Sequence, residues 1–222
     1  PDITVLVGYS QLLRKRTYEF PKYGTINCHA SPLPFYRGAA PLNWMLINGE
    51  KKAALSIIQV DVGVDTGDIL KQYFFDVDED YTIKDMVDIT LKEYPRMILE
   101  VIREIENKTL KPIKQNPEEG SYYTKRYPQD GLVSFRDKTD FEVHNMIRAL
   151  TKPYPGAFSY YQGEKISFLD SELLETDYFG ISGRISAKIK NRGMVVITKN
   201  RGILIKKIEL GDGQEINPAK HT

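Results

Sequence analysis

The stretch Thr25-Ile26-Asn27-Cys28-His29-Ala30-Ser31-Pro32-Leu33-Pro34-Phe35-Tyr36-Arg37-Gly38 opens as a short apolar strand and breaks off at two prolines. Thr25–Cys28 reads as the strand. Pro32 and Pro34 cannot continue it, because proline lacks the N–H that a ladder needs. Side chains alternate along a strand, so Asn27 and His29 share one face and Cys28 points to the other. Around this stretch lie three more strand candidates, Ile3–Val7, Ala54–Val60 and Ile69–Phe75. Between them Arg37–Asn48 reads as a helix stopped by Gly49. After them Ile83, Met86, Val87, Thr90, Leu91, Tyr94, Met97, Ile98, Val101, Ile102 and Ile105 recur at helical spacing behind a Thr82–Asp85 capping box, and Pro95 is expected to kink that helix. Strands alternating with helices predict a parallel α/β sheet.

The second half changes character. Pro112, Pro117, Gly120, Pro128 and Gly131 punctuate a linker. A helix follows behind Thr139 and Glu142, a second capping box, and runs to about Leu150. Beyond Pro153, Pro155 and Gly156 come five short strands, Ala157–Tyr161, Lys165–Leu169, Gly183–Ile189, Met194–Thr198 and Ile203–Ile208. These predict a small antiparallel, OB-like β-barrel. The expected organisation is residues 1–115 for the first domain, 116–135 for the linker and 136–222 for the C-terminal domain. The opening at Pro1 directly into a buried strand reads as a start within a domain, since a strand buried on both faces is rarely the first of its sheet.

Composition bounds the function. The 222 residues are 41% apolar and 27% charged, which fits a globular protein. One cysteine excludes a disulfide framework, and three histidines leave little for a structural zinc site. No apolar run is long enough to cross a bilayer and no leader pattern opens the chain, so the expectation is a cytoplasmic protein with no membrane partner. Net charge is +1. Yet Arg184–Lys207 holds eight basic residues and no acidic one, which leaves 23 basic against 30 acidic residues elsewhere, a balance of −7. Such a stretch can contact phosphates, or it can be the lysine-rich solvated face of edge strands.

Chemistry concentrates at two places. In open parallel sheets ligands bind beyond the carboxyl ends of strands, and Asn27 and His29 are expected there. An imidazole can take a proton near neutral pH, and an amide N–H can steady a developing oxyanion, so the pair suits acyl transfer. Taken alone, Asn-x-His at a strand end also reads as local hydrogen bonding. The second place is Val60-Asp61-Val62-Gly63-Val64-Asp65-Thr66-Gly67-Asp68, a glycine-bearing loop at the same sheet edge. Asp65 is placed to reach His29, fixing its tautomer and raising its basicity. A plain turn, or a cation loop built from Asp61, Asp65 and Asp68, remains open on this stretch.

Taken together the two blocks resemble the folate-dependent formyltransferase family. The resemblance is carried by Asn27-Cys28-His29, Ser31-Pro32-Leu33-Pro34, Arg37-Gly38 and Asp65-Thr66-Gly67, and later by Pro153-Tyr154-Pro155-Gly156-Ala157. It implies a Rossmann-like sheet whose first β-α units lie upstream of Pro1. It also implies transfer of a formyl group from 10-formyltetrahydrofolate to a primary amine, without a metal. His29 would handle the proton, Asn27 would hold the oxyanion, and Asp65 would act on His29. Ser31, Pro32, Leu33 and Pro34, with Asp61, Val62, Gly63, Val64 and Asp65, would line the folate site. Tyr36 and Arg37 would meet the acceptor.

Three acceptor branches compete. Glycinamide ribonucleotide enzymes usually lack the C-terminal domain. The stretches Ala40–Glu50 and His144–Leu150, with Tyr122-Tyr123-Thr124-Lys125-Arg126, resemble enzymes that formylate the 4-amino group of a nucleotide-linked sugar such as aminoarabinose. Ala39, just after Arg-Gly, resembles the methionyl-tRNA formyltransferases, and so does the basic stretch. The reading taken is therefore the nucleotide-linked amino sugar, with initiator tRNA as the alternative. A formyl-folate hydrolase and a folate-binding module without turnover are readings of other classes. The oligomeric state stays open, a homodimer included. Cys28 is expected to be a buried thiol, Trp44 to pack its helix, and His144 to be structural.

Overall fold

The structure is a computed structural model and describes residues 1–220. The elements in chain order are β1 (Thr4–Val7), α1 (Lys15–Tyr18), β2 (Thr25–His29), β3 (Arg37–Gly38), α2 (Pro41–Ile47), β4 (Lys52–Gln59), β5 (Ile69–Asp76), α3 (Ile83–Glu106), β6 (Tyr122–Tyr123), α4 (Asp140–Leu150), β7 (Ala157–Tyr161), β8 (Glu164–Leu173), β9 (Ile185–Ile189), β10 (Gly193–Ile197), β11 (Gly202–Glu209) and β12 (Glu215–Ile216). They divide into two compact units. Among the described residues the first holds 1–45, 50–79 and 85–126, and the second holds 46–49, 80–84 and 127–220.

In the first unit a four-stranded sheet runs in the order β1-β2-β4-β5. Only β1 and β2 are parallel, with Thr4 beside Thr25 and Val7 beside Cys28. β4 and β5 join antiparallel, so the sheet is mixed where an all-parallel one was expected. The physical reason lies in the connections. Parallel neighbours need a crossover of a dozen residues or more, and the loop from β4 to β5 turns straight back. One face of the sheet is covered by α3. Ile26, Cys28, Leu55, Ile57, Leu70, Tyr94, Met97 and Val101 form a single buried cluster there. Residues 94, 97 and 101 fall on one stripe of the helix, which is what anchors it. The helix runs unbroken through Pro95.

The expected helix from Arg37 is shorter, Pro41–Ile47, because Arg37 and Gly38 leave the helical pattern to pair parallel with Tyr122 and Tyr123. That two-residue bridge ties the predicted linker onto the front of the sheet.

The second unit has α4 beside a six-stranded antiparallel sheet ordered β7-β8-β11-β10-β9, with β12 on β11. The Thr139–Glu142 capping box forms as the sequence indicates: Glu142 N–H donates to Thr139 Oγ1, and Thr139 N–H donates to Glu142 Oε2. Among the described residues no pairing of β7 with β9 closes the sheet into a ring. Asp140, at the start of α4, is buried and receives Asn200 Nδ2 at 2.8 Å and Arg201 Nε at 2.7 Å. His144 makes a structural contact, Nδ1 to Ser171 Oγ at 3.0 Å.

Candidate active site

β2 ends at His29, and the alternation along it sends Cys28 into the α3 cluster while Asn27 and His29 take the other face. The next strand in space, β4, runs antiparallel to β2, so it ends beside Thr25 and Ile26, and the Asp61–Asp68 loop that follows runs back to reach the histidine. Two features shape that loop. Asp61 accepts from Gly63 N–H at 3.0 Å and from Thr66 Oγ1 at 2.7 Å, an Asx-type turn. Asp65 sits at φ 54°, a left-handed conformation that aspartate tolerates better than most residues. The result brings Asn27, His29 and Asp65 together. Asp65 Oδ2 lies 3.5 Å from His29 Nδ1, and Asp65 Oδ1 lies 3.5 Å from Asn27 Nδ2. Gly38 N–H donates to Asp65 Oδ2 at 2.9 Å. Both His29 and Asp65 are largely shielded, with side chains 7% and 13% exposed.

The histidine is held on both sides. Its Nε2 is 2.8 Å from the carbonyl oxygen of Tyr36. A carbonyl only accepts, so Nε2 carries a hydrogen, and Nδ1 is the nitrogen left for a second proton. A proton arriving at Nδ1 meets Asp65. The ring was expected to take its tautomer from Asp65, whereas the shorter contact is the Tyr36 carbonyl. That carbonyl is aimed by a backbone at φ 60°, and Tyr36 is pinned at three points. Its N–H donates to Ser121 Oγ at 3.0 Å, its phenol donates to Glu50 at 2.6 Å, and its ring stacks on Tyr123 at 4.5 Å.

The group opens on a cavity of about 1000 Å³, at the upper end of ligand pockets, which run from roughly 300 to 1,000 Å³. Asn27, His29, Gly38 and the loop residues Asp61, Val62, Gly63, Val64 and Asp65 all line it. Four residues expected there do not. Ser31 is fully buried, donating to Phe35 O at 2.8 Å, while its own carbonyl takes Ser56 Oγ at 2.6 Å. Leu33 packs with Ile58 and Ile69, and Pro32 and Pro34 flank it outside the cavity lining. The prolines turn the chain inward, so this turn braces the strand end from behind. Tyr36 and Arg37, expected at the acceptor, are also buried. The Arg37 guanidinium is spent on Gln115 Oε1 at 2.7 and 3.1 Å and on Glu119 O at 3.3 Å.

Sequence reading missed the contribution of the linker. Tyr123, Lys125 and Arg126 line the cavity, and the Arg126 guanidinium lies 4.7 Å over the Trp44 ring. Trp44 donates to Thr124 O at 3.0 Å, so it packs this strap as well as its own helix. Cys28 is buried, and burial pushes its thiol up to about 12. Of the eight basic residues between Arg184 and Lys207, at least four are paired within their own unit: Arg192 with Glu172, Arg201 with Asp140 and Asp177, Lys206 with Asp170, and Lys207 with Glu215. The sequence run therefore overstates the positive charge that this face presents. Among the described residues no group of three or more His, Cys, Asp or Glu side chains is gathered to hold a metal ion, and no helix is long and apolar enough to cross a membrane.

Comparison with known proteins adds an independent line. Residues 1–102 match the family model described as formyl transferase, and residues 125–221 match the formyl transferase C-terminal domain. The chain is 33% identical over 216 residues to the methionyl-tRNA formyltransferase of Clostridium botulinum (strain Alaska E43 / Type E3), covering 97% of this chain and 69% of that protein. It is 38% identical over 186 residues to the bifunctional polymyxin resistance protein ArnA of Wigglesworthia glossinidia brevipalpis, covering 80% of this chain and 27% of that protein. Among solved structures it resembles the N-formyltransferase of Helicobacter canadensis in complex with folinic acid and dTDP-3-aminofucose. The identity there is 26% and the TM-score 0.62, covering 83% of this chain and 68% of the other.

Proposed function

The chain belongs to the formyl transferase family, and from that premise we propose that it transfers the formyl group of 10-formyltetrahydrofolate to the amine of methionyl initiator tRNA. The observation that carries the chemistry is the convergence of Asn27, His29 and Asp65 on one cavity. Each has a task. Asn27 Nδ2 makes a single long bond to Asp65 and keeps an N–H for the formyl oxygen as negative charge builds on it. His29 accepts a proton from the attacking amine at Nδ1 and returns it to N10 of the donor as the N10–formyl bond breaks and tetrahydrofolate leaves. Asp65, 3.5 Å away, stabilises the imidazolium that results, and the Tyr36 carbonyl holds the other ring nitrogen. The cavity fits an elongated donor: it is roomy, and it pairs apolar walls such as Leu6 and Ile58 with the polar Asp61–Asp65 loop. The donor supplies an activated formyl group, and these residues orient it and manage the proton.

The acceptor rests on the Clostridium relative, whose likeness runs through 97% of this chain, the C-terminal unit included. This reverses the order in which the sequence motifs alone rank the two acceptors. A nucleotide-linked amino sugar remains the second reading, favoured by the 38% identity to ArnA and by the sugar-bound Helicobacter structure. The test offers the protein 10-formyltetrahydrofolate with methionylated initiator tRNA or with a panel of nucleotide-linked amino sugars. Formyl-methionyl-tRNA is the expected product. Formylation of a sugar alone selects the second reading, and turnover of the donor with no acceptor present would mark a hydrolase.

A further inference from the structure

We infer that Gln115 is a positioning residue that holds Asp65 for its work on His29. Nothing in the local sequence marks it, since it stands at the last position of the expected first domain, between Pro112 and Pro117. Its side chain is nonetheless fully engaged. Gln115 Nε2 donates to the carbonyl of Asp65 at 2.9 Å and to the carbonyl of Gly67 at 2.7 Å. Gln115 Oε1 accepts from Arg37 Nε at 3.1 Å and from Arg37 Nη2 at 2.7 Å. The orientation of the amide is forced, because carbonyls only accept and a guanidinium only donates. No other neutral side chain of similar length offers two donors on one atom and an acceptor on the other.

The bonds close a ring around Asp65. Gln115 holds the backbone of residues 65 and 67. Arg37 holds Gln115. Gly38, next to Arg37, donates its N–H to the Asp65 carboxylate at 2.9 Å. Both ends of Asp65, carbonyl and carboxylate, are thereby referred to the same two-residue strand β3. Asp65 needs this, because its backbone is in the left-handed region at φ 54°, where a residue stays only if its surroundings fix it. The loop's other anchor, Asp61, bonds Gly63 and Thr66. Without Gln115 the backbone beneath the carboxylate loses two bonds, and the bonds from Gly38 and Asn27 are left to hold a loosened loop in register with His29 Nδ1.

The kinetic half of the test rests on the formyl-transfer reading, and the spectroscopic half does not. Gln115→Glu keeps an oxygen for Arg37 but replaces the two-fold donor with an acceptor facing two carbonyls. Gln115→Ala removes both roles. If Gln115 acts through Asp65, both variants lower kcat by about 10- to 100-fold, the scale of loss from misplacing a group by an ångström, while the donor's KM stays within about threefold. In an Asp65→Asn background the same changes cost nothing further, since residues acting as a unit are non-additive. In parallel, the His29 imidazole ¹⁵N signals move in Gln115→Glu and in Asp65→Asn in the same sense, in folded protein and without turnover. Unchanged kcat, losses that multiply in the double variant, or undisturbed His29 signals overturn the assignment. A wild-type protein that transfers no formyl group refutes the proposed function instead, and leaves the ¹⁵N comparison to decide on Gln115.

Discussion

Asp65→Asn isolates the charge at the heart of the site. Asparagine has the same shape and also tolerates φ near 54°, so the loop keeps its course. The amide oxygen can still take the Gly38 N–H. What disappears is a negative charge 3.5 Å from His29 Nδ1, together with the long bond from Asn27 Nδ2, which then faces another NH2 group. At that distance two unit charges interact by about 5 kcal/mol at the effective dielectric of 20 that suits partly buried pairs. This is an upper figure for what Asp65 gives the imidazolium, and at 1.36 kcal/mol per decade it bounds the loss at about three and a half decades. The expected result is a fall in kcat of about 10²- to 10³-fold, with the donor's affinity changed less than about threefold. Thermal stability should move by less than about 1 kcal/mol, because the hydrogen bond to Gly38 survives. Single-turnover transfer, donor titration and a melting curve on the same preparation check the three statements. A variant that keeps kcat within about fivefold of wild type refutes the charge-stabilisation argument.

Three further outcomes follow from the packing. Cys28, buried in the α3 cluster with its thiol pushed up to about 12, should resist iodoacetamide near neutral pH in the folded protein and react once unfolded, as mass spectrometry reads. Met97→Ala, at a position 1% exposed in that cluster, should cost about 2–5 kcal/mol in denaturant unfolding. Burial alone would push the Asp140 carboxyl up, but the bonds from Asn200, Arg201 and the Phe141 N–H together outweigh it and hold the group below the ordinary carboxylate range. A carboxyl lowered on folding adds stability above its unfolded value, near pH 3.9, and loses it as pH falls through the folded value. The protein should therefore weaken on acidification below about pH 4, and Asp140→Asn should flatten that dependence while costing about 1.5–3 kcal/mol at neutral pH.

How much of this was legible in the sequence depended on the range of the interaction. Local periodicities were: β2 placed Asn27 and His29 on one face and Cys28 on the other, and the Thr139 box started α4 where it should. Motif spacing found Asp65 because the loop that carries it follows β4, the sheet neighbour of β2. What failed was long-range and leaves no period. The β3–β6 bridge joins residues 85 apart in sequence, and with the bonds to Gln115 and Glu119 it takes Arg37 from the expected acceptor site into the interior. Ser31 and Leu33 look like a ligand loop as a string, yet the prolines around them fold the turn onto Ser56 and Ile58. The basic run from Arg184 reads as bare charge because its partners, Glu172, Asp170, Asp177 and Glu215, come from other strands and loops. Gln115 and the Tyr36 carbonyl were invisible for the same reason: a backbone oxygen and a side-chain amide acquire a role only when the chain returns to them.

The most direct measurement is formyl transfer by His29→Ala, with donor binding followed on the same sample. The imidazole between the Tyr36 carbonyl and Asp65 is the group to which the account gives the amine's proton. Transfer should drop to the background rate while 10-formyltetrahydrofolate still binds. Turnover close to the wild-type rate would contradict the account at its centre.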